Sequence, residues 1–91
     1  MVKPLNPMMA AHSKEPVYSR SLGWCEYDDD GDSVPAMILA VPAFVGFDIF
    51  RIGQAIFHLE WFAVKEDAVD WAVDRCRVEV SEHELRQVDR D

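Results

Sequence analysis

Apolar side chains along this chain concentrate between Val34 and Val64, where VPAMILAVPAFVGFDIFRIGQAIFHLEWFAV is charged only at Asp48, Arg51 and Glu60. The core must be built here, because the preceding residues are polar and the following ones pattern as helix with an acidic surface. If Val34 to Phe47 is extended, Val34, Ile38 and Phe44 point one way and Met37, Leu39, Val41, Val45 and Phe47 the other. A strand that is apolar on both sides has to be covered on both sides. Pro35 and Pro42 each remove a ladder donor, which predicts an edge position or a break near Pro42. A short helix with Pro35 in its first turn is the competing reading. The Val, Ile and Phe content after a turn favours the strand.

The same periodicity organises the neighbours. VYSRSLGWCEY alternates Val17, Ser19, Ser21 against Tyr18, Arg20, Leu22, with Gly23 as a bulge, and DDDGDS then has the acid-and-glycine chemistry of a turn. FDIFRI and AIFHLEWFAV, joined by Gly53 and Gln54, predict a hairpin. In its second strand Ala55, Phe57, Leu59, Trp61 and Ala63 share one face and Ile56, His58, Glu60 and Phe62 the other, which expects Trp61 on the buried side.

In KEDAVDWAVDRC the period becomes helical. Ala68, Val69, Ala72, Val73 and Cys76 form one stripe, with Asp67, Asp70 and Asp74 on the opposite side. RVEV suggests a short strand, and Ser81 with Glu84 a capping box that opens a second, short helix at about Glu82. The expected fold is α+β: a small antiparallel sheet of three to five strands packed against one helix, with a short C-terminal helix. Residues 1–15, with two prolines and no period, are expected to be a flexible arm ahead of a single domain over 16–91.

Charge narrows the function. The net charge is −8, divided as +2 for Met1 to Cys25, −9 for Glu26 to Asp74 and −1 for Arg75 to Asp91. Direct binding to nucleic acid or anionic lipid needs clustered Lys and Arg, so neither is expected, whereas a basic protein partner is. The uncharged run to Phe47 is too short to span a bilayer. With no apolar run before Pro16 and only two distant cysteines, Cys25 and Cys76, the expectation is a cytoplasmic protein with reduced thiols.

Candidate chemistry is thin. Glu26, Asp28, Asp30 and Gly31 match positions 1, 3, 5 and 6 of a calcium loop, but the twelfth position is Met37 and a strand precedes it. Zinc would need Cys25, Cys76, His58 and His83 to converge without any close-spaced ligand pair, so no metal and no cofactor are expected. His58 and Glu60 share a strand face, the basis of a further alternative, a small enzyme, yet no motif brings a nucleophile to them. No catalytic residues are assigned.

What remains is binding. Glu26, Asp28, Asp29, Asp30 and Asp32 in the turn, with Asp67, Asp70 and Asp74 on the helix, make an acidic surface that imitates a phosphate track. The function expected is a non-catalytic inhibitor or immunity-type protein that occupies a basic, nucleic-acid-binding surface of a larger protein, in the manner of anti-CRISPR and other anti-defence proteins of phages. The alternative is a structural or regulatory subunit using its apolar face. A homodimer is expected from the two-sided apolar strand.

Overall fold

The computed structural model of the chain describes residues 15–89, so the expected arm lies, apart from Glu15, outside the described residues. Four strands, β1 (Tyr18–Tyr27), β2 (Ser33–Pro42), β3 (Phe47–Ile52) and β4 (Ile56–Phe62), precede one helix, α1 (Lys65–Asp89). The strands form one antiparallel meander in the order β1-β2-β3-β4. Short turns explain the order, since antiparallel neighbours need only tight connections. The α+β architecture read from the sequence is the one observed.

β2 is a central strand rather than an edge. β3 pairs with it only from Met37 (opposite Ile52) to Pro42 (opposite Phe47), so Pro35 lies where β3 no longer runs alongside. Pro42 is its last residue. Both prolines are thus tolerated at positions that spare the β2–β3 ladder its missing donors. The bulge expected at Gly23 is present: register breaks between Ser21 and Cys25, and Gly23 has φ +107°.

α1 covers one side of the sheet. Ala68, Ala72 and Cys76 are buried against Leu22, Ala36, Ile38, Ala40 and Ile49. Small residues on both layers let the helix approach closely, and Trp71 and Phe62 close the margin with ring centroids 6.1 Å apart. The other side of β2 enters a second cluster, in which Leu39, Val41 and Phe50 are buried and Met37 and Ile52 pack on them. Two-sided burial of this strand is therefore achieved inside one chain.

Two local readings are corrected. The helix does not stop at Arg77: RVEV and the expected C-terminal helix are both parts of α1. The inward stripe carries on through Glu79, which is buried, and Val80, while Arg75 and Glu79 form an i,i+4 pair at 2.7 Å. Ser81 and Glu84 consequently lie inside a helix, where their capping geometry has no use. In β4, Ile49 pairs with Glu60 but Phe50 with His58, so one extra residue is accommodated at Leu59–Glu60. This bulge turns Trp61 to the side of His58, away from α1, and Trp61 is exposed rather than buried. No helix among the described residues is long and apolar enough to cross a membrane.

Candidate interaction surfaces

The acidic turn is shaped by its own backbone. The Asp28 carboxylate accepts the amides of Asp30 and Asp32, both at 2.9 Å, and the Asp28 carbonyl accepts that of Gly31 at 3.0 Å. Carboxylate oxygens of Asp28, Asp30 and Asp32 lie within 4.8 Å of one another, and Asp29, Asp30 and Asp32 are exposed. The turn is a compact negative knuckle. The calcium-loop pattern is not realised as such, because Met37 sits in β2 opposite Ile52 and Glu26 is engaged elsewhere.

Glu26 faces the helix. Arg51 in β3 donates to both of its oxygens, at 2.7 and 2.6 Å, the Gln54 amide adds a bond at 2.9 Å, and the Trp24 indole one at 3.0 Å. Arg51 also reaches Glu79 of α1 at 3.4 Å, and Arg75 holds the second Glu79 oxygen at 2.7 Å. The hydrogen bonds from Arg51, outweighing the desolvation that opposes them, hold the Glu26 carboxyl at about 2, with Gln54 and Trp24 helping. Its charge is spent on joining β1, β3 and α1 and adds little to the surface field.

Asp67, Asp70 and Asp74 are all exposed on the outer face of α1. Asp74 is bonded by Arg77 at 3.1 Å, whereas Asp67 and Asp70 have no ion-pair partner among the described residues. The helix begins where β4 ends, next to the β2–β3 turn, and its last turns reach the opposite end, where His83 stacks on Trp24 at 3.9 Å and 4°. About 20 Å of helix separates Asp70 from His83. The two acidic groups named from the sequence therefore occupy opposite ends of the molecule instead of one continuous track.

His58 and Glu60 are not partnered with each other. His58 Nε2 lies 2.9 Å from Asp48 Oδ1 and its ring meets Phe50 edge-on at 5.3 Å, while Glu60 accepts the Trp61 amide at 3.1 Å. Asp48 is the residue that sequence reasoning missed. It stands opposite Trp61 in the β3–β4 register and so beside His58 once the bulge is included. Of the other ligand candidates, Cys76 is buried beneath α1 with the Tyr18 hydroxyl 3.7 Å away, and Cys25 is an exposed free thiol. Burial, then the neighbouring thiol, raises the Tyr18 pKa. His58 faces away from α1, and His83 and Cys76 lie on the helix side, so these residues form no common site. No protein-family model, no curated protein and no solved structure matches this chain.

Proposed function

We propose that the protein is a non-catalytic binding protein whose acidic helix face occupies a basic surface of a larger protein, in the manner of an inhibitor or immunity protein acting in the cytoplasm. The observation that carries this reading is the ridge of Asp67, Asp70 and Asp74, exposed on a helix whose opposite side buries Ala68, Ala72 and Cys76 in the core. Carboxylates one turn apart on a fixed helix repel one another, a cost that a basic partner relieves. The acidic turn, at the far end, is a second contact for a partner long enough to reach both, and Glu26 is no longer counted in the surface.

Replacing Asp67, Asp70 and Asp74 together by Asn separates this role from packing. Stability is expected to hold within about 0.5 kcal/mol, because the like-charge repulsion removed is offset by loss of the exposed Asp74–Arg77 pair and of the Asp67 charge in the first helical turn. Association with the partner recovered from source cells at low salt is expected to slow, weaken and lose its salt sensitivity, since charge complementarity acts chiefly on encounter. Unchanged association rates at low salt for the triple variant, with the fold checked by circular dichroism, exclude this face from the binding site.

A further inference from the structure

We infer that β4 is a self-pairing edge, through which two copies of this chain join by antiparallel β4 strands into one eight-stranded sheet with both helices on the same side. The reading concerns the sheet edge and does not rest on the acidic ridge. The sheet has two edges, β1 and β4. β1 is blunted as an edge by the exposed charge of Arg20 and by the Gly23 irregularity. β4, IFHLEWF, has a single formal charge at Glu60 and leaves Ile56 38%, Phe57 54% and Trp61 44% exposed. Outward N–H and C=O groups beside exposed aromatic rings are a template for another strand, although pairing at Trp61 requires its amide to leave the Glu60 carboxylate that accepts it at 3.1 Å.

The bulge identifies what that strand is. Leu59 and Phe62 pack on the helix-side core, and Phe57 stands opposite Arg51, which reaches α1, so these three share the helix side. His58 and Trp61 stand opposite Phe50 and Asp48 on the other side. Directly opposed residues of an antiparallel pair must project to the same side, and a slip of one residue would reverse this. A two-fold axis between Leu59 and Glu60 meets the condition on both halves of β4. It sets Phe57 against Phe62 of the partner subunit and His58 against Trp61 of the partner subunit, with the two bulges meeting at the axis. An axis through Leu59 itself would oppose Phe57 to a Trp61 on the wrong side. A strand whose irregularity falls at its own centre, with aromatic residues of matching side at equal distances from it, fits a second copy of itself.

The test uses the full chain, studied by analytical ultracentrifugation from roughly micromolar to hundreds of micromolar, a range that covers interfaces of ordinary affinity, together with amide exchange along β4. A dimer is expected, with β4 amides protected only where it forms. Added salt is expected to tighten it by screening the −8 charge of each copy, the opposite of its effect on an acidic-to-basic contact. Phe57→Lys, at an exposed position, is expected to weaken the dimer by about tenfold or more, and Ser19→Lys on β1 to leave it unchanged. A monomer throughout the range with rapidly exchanging β4 amides overturns the inference. So does a dimer indifferent to Phe57→Lys or broken by Ser19→Lys, and so do open-ended oligomers. Should Phe57→Lys fail to fold, β4 protection in the parent decides alone.

Discussion

Replacement of Arg51 by Met is expected to lower the unfolding free energy by about 3 to 5 kcal/mol, a large part of what a domain of this size possesses. Its side chain is 13% exposed, that of Glu26 22% and that of Glu79 9%, so water replaces only part of the bonds the two acids lose. Arg75 still holds Glu79 at 2.7 Å, and Glu26 keeps the Gln54 amide and the Trp24 indole. The cost should therefore fall mostly on Glu26. Urea unfolding of Arg51→Met, Glu26→Gln and the double variant measures it: the double variant is expected to cost clearly less than the two singles added. Strict additivity would mean that the pair contributes no coupling and that the loss is one of packing alone.

Acid titration provides an independent reading of the same pair. The Glu26 pKa falls from 4.5 to about 2 on folding, so the folded state favours its ionised form. That contribution, up to about 3 kcal/mol, is fully present above pH ~4.5 and is lost as pH falls toward ~2. The parent should lose stability across this window, and Arg51→Met should lose much less there, because its Glu26 has no cation to favour ionisation. Equal slopes for the two proteins would assign the acid sensitivity to other carboxylates.

How much of this was legible in the sequence depends on the range of the interaction. The stripe of Ala68, Ala72 and Cys76 could be read from a period of a few residues, and the same period placed Asp67, Asp70 and Asp74 outward. The two-sided burial of β2 followed from its composition. Continuity of α1 through RVEV was hidden because four residues alternate as well as they spiral, and the arbiter is the Arg75–Glu79 pair and the inward Glu79. The Glu26–Arg51–Glu79 bridge joins residues more than twenty positions apart, which no local pattern records. It also removes Glu26 from the acidic surface that its neighbours in the turn suggested.

The face of Trp61 was illegible for a different reason. Strand side chains repeat every two residues, so one extra residue at Leu59–Glu60 inverts every assignment after it, and the residues themselves carry no mark of that insertion. The missed Asp48–His58 contact has the same origin. Register across the hairpin would have found it; alternation along one strand could not.

Substitution of Gly46 by Ala is expected to cost roughly 2 to 5 kcal/mol, combining the left-handed backbone with overpacking. Gly46 has φ +76° and closes the β2–β3 turn, its carbonyl accepting the Ala43 amide at 2.9 Å. A Cβ there would stand 2.5 Å from the Phe62 carbonyl oxygen and 2.6 to 2.7 Å from the Trp61 ring. Neither neighbour can retreat cheaply. Phe62 is paired with Phe47 in the β3–β4 ladder, and the Trp61 indole is tied to the Val45 carbonyl at 2.7 Å. Gly31 is the control, with φ +83° and nothing within 4 Å of its Cβ position, so Gly31→Ala should cost only the backbone share, about 1 to 2 kcal/mol. Trp61→Ala in the Gly46→Ala background should recover part of the loss, because it clears the ring while the Phe62 carbonyl stays. Urea midpoints for the four proteins measure these differences. If Gly46→Ala were no worse than Gly31→Ala, the Trp61 ring would not be held against the turn, and the side assigned to it on β4 would lose its support.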